Sequence, residues 1–146
     1  MRERGRARRS ALPCYSFAMS LRIVRLGSPR TRDEGTRIGT VRRPPRGVAK
    51  QDWAKRDFFD VWLPELAPSE ALLKAARAAE SDSEWKAFVR RYRAEMAKPE
   101  AQHLLQLLSV LSRTSAFSVG CYCENEQRCH RAILRELLAT HGARFA

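Results

Sequence analysis

The chain has 146 residues and a formal charge of +12, from 28 Lys and Arg against 16 Asp and Glu. That length is about one ordinary domain, and a hydrophobic share of 44% is enough to build a core. No apolar run approaches the roughly 20 residues of a membrane span, and the four cysteines are too few and too unevenly placed for a disulfide-stapled secreted module. Composition therefore excludes a membrane protein, a collagen-like chain and a multidomain enzyme, and thiols in this number suit a reducing cytoplasm.

Residues 1–18, MRERGRARRSALPCYSFA, hold five Arg and one Glu and show no periodicity. Three readings fit this basic leader. It is a nucleic-acid-binding arm, because clustered Arg attracts phosphate. Or it is a signal peptide whose apolar stretch is broken by Pro13. Or it is a disordered or mis-assigned start before Met19. The fold is accordingly sought in residues 19–146, as a single domain. Between Arg22 and Lys55, arginines outnumber their opponents Asp33, Glu34 and Asp52. Arg favours bidentate contact with phosphate or carboxylate. The same residues also fit a solvated surface, since no aromatics are interleaved as a base-stacking platform requires.

In chain order, Leu21 to Leu26 is short, rich in strand formers and closed by Gly27-Ser28-Pro29. Thr36 to Val41 is a second strand, bounded by Gly35 and by Pro44-Pro45. Two prolines followed by Arg46-Gly47 are incompatible with regular structure and predict a fixed loop. Asp57 to Leu63 fits either a buried strand or one helical turn, closed by Pro64 and Pro68. Ser69 caps a helix through Ala79, and Ser81-Asp-Ser-Glu84 is a capping box for the next. In that helix Trp85, Phe88, Tyr92 and Met96 form one apolar stripe, which reads as core. Pro99 opens a third helix through Leu111, and its lone His103 reads as packed or exposed, not as a ligand.

Ala116 to Tyr122 is a buried strand, Glu124 to Arg128 a loop, and Cys129 to Leu138 a helix that ends at His141-Gly142. Strand, loop and helix make half of a parallel α/β unit. The fold class expected is α/β: one small domain with a mainly parallel sheet flanked by helices and a helical middle segment.

Cys121, Cys123 and Cys129 fall within nine residues, with His130 adjacent. Cys121 and Cys123 share one face at the carboxyl end of a strand. Cys129 sits at the first helical turn, where free N–H groups and the neighbouring Arg128 and Arg131 favour a thiolate. Three readings compete. Cys121, Cys123, Cys129 and His130 form a Cys3His zinc site, although C-x-C-x5-C-H lacks the usual paired spacing. Alternatively Cys129 or Cys123 is a catalytic nucleophile or redox thiol, with His130 as proton carrier and Arg131 as anion holder; a phosphatase-like C-x5-R spacing is one residue short from Cys123 to Arg128. In the third reading, the helix start binds an anion while the thiols only pack.

Four ordered motifs carry a family resemblance. They are Asp33-Glu-Gly-Thr-Arg-Ile-Gly-Thr-Val-Arg-Arg-Pro-Pro-Arg-Gly47, Leu63-Pro-Glu-Leu-Ala-Pro-Ser69, the spaced Trp85, Phe88, Tyr92 and Glu95, and Cys121-Tyr-Cys-Glu followed by Cys129-His-Arg131. Together, from about residue 21 to 142, they resemble the domain of unknown function 488 family, the YeaO-like group. The resemblance implies a small cytoplasmic α/β domain and no established reaction. It carries Arg37, Arg42, Arg46 and Gly47 onto family positions, and the chain departs from the pattern at Val41 and Pro44. It also implies a pocket shaped by arginines, with the thiols a subgroup feature. The expectation is an anion pocket between the Arg37–Arg46 and Cys121–Arg131 loops. It would bind a phosphate- or carboxylate-bearing ligand through Arg37, Arg42, Arg46 and Arg131, as in a hydrolase or transferase. Nucleic acid is the alternative partner, no membrane is expected, and no cofactor is required unless zinc occupies the cysteines. No heptad pattern defines an oligomeric state.

Overall fold

A computed structural model describes residues 19–146; the basic leader lies outside the described residues. Four strands, β1 (Leu21–Arg25), β2 (Thr36–Gly39), β3 (Val61–Trp62) and β4 (Phe117–Cys121), form one sheet in the order β1-β4-β2-β3. Every pairing among them is parallel. The last strand in sequence is thus central, hydrogen-bonded to β1 and β2, and all five of its residues are buried. That is why its sequence is a run of small and apolar residues and not an alternation. At one edge, Leu21 N–H donates to Arg144 O at 2.8 Å and Ala146 N–H to Leu21 O at 3.0 Å, so the C-terminal tail covers β1. The other edge, β3, has only two residues, which limits edge-to-edge pairing.

Between β3 and β4 the chain makes α1 (Glu70–Ala78), α2 (Asp82–Met96) and α3 (Pro99–Leu111). Local chemistry sets their starts. Ser69 Oγ accepts from Leu72 N, Ser81 Oγ accepts from Glu84 N and donates to Glu84 Oε1, and Pro99 occupies the first turn of α3. After β4 comes α4 (His130–Thr140). All four helices contribute to one core cluster with Leu21, Phe117 and Val119 of the sheet; Phe88, Tyr92 and Met96 are its α2 members. His103 is exposed on α3.

A second, smaller cluster of Leu26, Val41, Phe59, Cys121 and Cys129 is closed by the loops, not by helices. Phe59 sits over Gly39, where a Cβ would lie 2.3 Å from its ring. Within the ambiguous segment 57–63, Asp57 adopts φ 61° and only Val61–Trp62 pair as strand. The strand alternative is therefore the observed one, but short and exposed.

Candidate anion cleft and sulfur cluster

The loops that follow β2 and β4 meet beyond the carboxyl ends of these two adjacent strands, where open α/β sheets place their sites. Two hydrogen bonds clasp them. His130 Nε2 lies 2.7 Å from Thr40 O, and Tyr122 Oη donates to Arg43 O at 3.0 Å. A carbonyl only accepts, so the His130 proton is on Nε2 and its Nδ1 carries the lone pair. Burial holds the His130 imidazolium form below its ordinary pKa. Tyr122→Phe removes one clasp and is expected to cost about 0.5–1.5 kcal/mol. Urea unfolding reads this, and an unshifted midpoint would show that the clasp does nothing.

Between the loops lies a cleft of ≈ 1040 Å³, to which α1 and α2 add Leu73, Arg77, Trp85 and Phe88. Its arginines are Arg42, Arg43, Arg46, Arg56, Arg77 and Arg128, and Glu70 is the one acidic residue among the described lining residues. Glu70 is already paired: Arg43 Nε donates to Oε1 at 2.6 Å and Nη2 to Oε2 at 2.7 Å, which holds the Glu70 carboxyl below its usual range. Arg128 is paired with Asp82. Arg42 is fixed by backbone alone, Nε donating to Pro68 O at 3.0 Å and Nη2 to Ala67 O at 2.9 Å. Its charge is positioned but forms no ion pair; Glu70 feels it only at longer range. Arg46 is exposed in the Pro44-Pro45-Arg46-Gly47 turn and has no hydrogen bond or ion pair among the described residues. Phe58, Tyr122 and Trp85 supply half-buried aromatic wall, Phe58 and Tyr122 packing edge to face at 6.1 Å.

Arg37 is elsewhere. Although it belongs to the same Arg-rich run, it is buried and outside the cleft lining. Its Nε donates to Glu34 Oε1 at 2.7 Å and its Nη2 to Oε2 at 2.9 Å; Nη1 donates to Ser28 O at 2.8 Å and Asp57 O at 2.6 Å. Glu34 also accepts from Ser118 Oγ at 2.7 Å. Burial alone would raise the Glu34 pKa, but the hydrogen bonds from Arg37 and Ser118 outweigh it and hold the carboxyl below its ordinary value. Arg37 is a structural tie between the β1–β2 loop and the segment before β3, with four of its five N–H donors committed to the protein.

On the cleft floor the sulfurs of Cys121, Cys123 and Cys129 lie within 4.8 Å of one another, a group able to hold a metal ion. Cys121 and Cys129 are buried and Cys123 is exposed, just past the end of β4. Cys129 is the cap residue of α4 and extended in backbone (φ −132°), one position before the helical turn expected for it. The thiolate expected at Cys129 is disfavoured there. Hydrogen bonds to the sulfurs of Cys121 and Cys123, and then burial, push the Cys129 thiol up. Hydrogen bonds from Cys121 and Cys129 pull Cys123 down, helped by His130 and Arg131, while Cys121 is pushed up to about 12, chiefly by its bond to Cys123.

His130 is near the cluster but outside the mutually close group. Its Nδ1 is 3.9 Å from Cys129 Sγ, and its ring is tied by Nε2 to Thr40 and packs edge-on to Tyr92 at 5.6 Å. The Cys3His set therefore reduces to three cysteines. Arg131 is buried, its Nε has no hydrogen-bond partner, and its guanidinium makes no ion pair among the described residues. It does not line the cleft directly.

Sequence reasoning thus names Arg42, Arg46 and the cysteines at the site and misses Arg56, Phe58, Arg77 and Tyr122. Arg56, Phe58 and Tyr122 are lone loop residues without a periodic signal, and Arg77 is one charged residue among several on α1, so nothing in the pattern marks them. No described helix is long and apolar enough to cross a membrane. No curated protein and no solved structure matches the chain. The family model DUF488-N3a, described as the active DUF488-N3 subclade, matches residues 21–142 and so spans both cleft loops. The chain therefore belongs to the DUF488 family.

Proposed function

We propose that the protein binds a small phosphate- or carboxylate-bearing ligand in the arginine-lined cleft, as a cytoplasmic hydrolase or transferase acting on that ligand. One observation carries this reading. The cleft has a positioned cation, Arg42, and a free one, Arg46, while its single carboxylate is already held by Arg43. Arg42 is half-buried without an ion-pair partner, a cost that a bound anion would offset; Arg46 is exposed and free to reach the same anion, and an Arg fork suits phosphate or carboxylate. Phe58, Tyr122 and Trp85 give the ligand's less polar body a surface to lie on. The three sulfurs on the floor face the same space and supply the chemical group that a reaction needs.

Pyrophosphate titrated by calorimetry into the full chain tests this. Saturable one-to-one binding is expected, and Arg46→Ala should weaken it by roughly 10–100-fold, the worth of one charged hydrogen bond of about 1.5–3 kcal/mol. Affinity should fall only modestly with salt. A steep loss with salt, together with little effect of Arg46→Ala, would point instead to the phosphate backbone of a nucleic acid spread over the basic surface. No binding, or binding indifferent to Arg46, would sink the proposal.

A further inference from the structure

We infer that Cys121, Cys123 and Cys129 form a three-thiolate zinc site whose fourth coordination position opens into the arginine cleft. The sulfurs come from three separate places, the end of β4, the loop beyond it and the cap of α4, yet converge within 4.8 Å. Zinc–sulfur bonds of about 2.3 Å put two sulfurs of one tetrahedral ion about 3.8 Å apart, so closing around an ion needs shifts of about an ångström. Soft sulfur donors select zinc over the hard cations. Three protein ligands with a vacant corner are the pattern of zinc sites that take a water or substrate as the fourth ligand. Here that corner faces the cleft, because all three cysteines line it.

Charge supports the same assignment. Three thiolates around a divalent ion carry a net charge of −1. Arg131, buried two residues after Cys129 and lacking any ion pair among the described residues, supplies the matching +1. Its Nε is buried without a hydrogen-bond partner, a penalty that a nearby anionic cluster offsets. His130 stays beside the cluster, with its ring fixed by the Nε2 bond to the Thr40 carbonyl at 2.7 Å. On binding, each sulfur that still carries a proton releases it to the solvent, and no redox change is involved. The inference adds an ion to the proposed cleft but does not depend on the ligand, since the metal alone is the probe.

The test is cobalt(II) titration of the reduced full chain, followed by displacement with zinc. The expected result is an intense thiolate-to-cobalt band with tetrahedral visible bands, saturating at one equivalent and abolished by one equivalent of zinc. Zinc should also protect three of the four thiols from alkylation. Cys123→Ser is the variant of choice because Cys123 is exposed and its loss spares the core. It should weaken binding by at least the roughly 10–100-fold that even loss of a supporting outer residue costs. A pale octahedral spectrum, protection of fewer than three thiols, or Cys123→Ser binding as tightly as the parent would each overturn the site. Pyrophosphate binding by the metal-free protein is scored separately, so failure of the ion leaves the cleft reading standing.

Discussion

Arg37→Met is expected to destabilise the fold by about 3–5 kcal/mol, the cost of leaving a buried charge without its partner. The variant keeps an unbranched apolar stem but ends where the guanidinium begins, so it removes every donor. Glu34 is then buried with only Ser118 Oγ and Thr31 N–H to stabilise its carboxylate. The carbonyls of Ser28 and Asp57 lose their donor at the same time. The pH dependence adds a sign that a simple packing defect lacks. In the native chain the Glu34 pKa is depressed, so the pair contributes stability above the unfolded value of about 4.3, which is lost as pH falls through the lower folded value. In Arg37→Met that contribution is gone at every pH. The gap between parent and variant should therefore be widest near neutrality and narrow below about pH 4. Urea unfolding of both proteins across this range checks it. A gap under about 1 kcal/mol, the level of an exposed ion pair, or one that does not change with pH, would show that the tie is not structural.

Gly35→Ala should be similarly severe, for a backbone reason. Gly35 has φ +74°, and a Cβ there would lie 2.0 Å from the carbonyl oxygen of Ala116, at the entry to β4. The left-handed conformation costs an L-residue about 1–2 kcal/mol, and forced crowding typically another 1–3 kcal/mol. The obstacle is backbone, so relief must move either the central strand or the loop that carries Glu34. Gly47→Ala is the internal control. It has φ +72° but nothing within 4 Å of a built Cβ, so it should show the conformational cost alone. Unfolding midpoints should separate the two variants by at least 1 kcal/mol, by the lower bound of that crowding cost. Equal losses would mean that the Ala116 contact is relieved freely.

The parts of the fold that were legible in the sequence are those set by local chemistry. Ser69, Ser81 and Pro99 mark three helix starts because capping depends on one side chain and the next few N–H groups. The run from Phe117 to Cys121 reads as a buried strand because it is flanked by structure on both faces. The site was legible only in part. Arg37 and Arg42 sit five residues apart in one basic run, and nothing local distinguishes them. Arg37 finds a carboxylate across the Gly35 turn, and Arg42 finds only backbone carbonyls from before α1. That difference is made by tertiary contact. The cysteines show the same limit. Spacing puts three thiols near one another, but their order of acidity depends on the hydrogen bonds among the sulfurs and then on burial, which lower the exposed Cys123 and raise Cys129. Trp85 belongs to the apolar stripe as read, yet it is only half-buried and also lines the cleft, because the stripe's first turn reaches its rim.

In the proposed function, anions bind in this cleft through Arg42 and Arg46. The most direct measurement is a titration of isotopically labelled protein with pyrophosphate, following the Nε–Hε resonances of its arginines by NMR. The expected outcome is that Arg42 and Arg46 shift and saturate together, while Arg37, enclosed by Glu34 and two carbonyls, does not move. Shifts spread evenly over exposed arginines such as Arg90, Arg91 and Arg113, or a titration in which Arg42 and Arg46 stay still, would contradict the account.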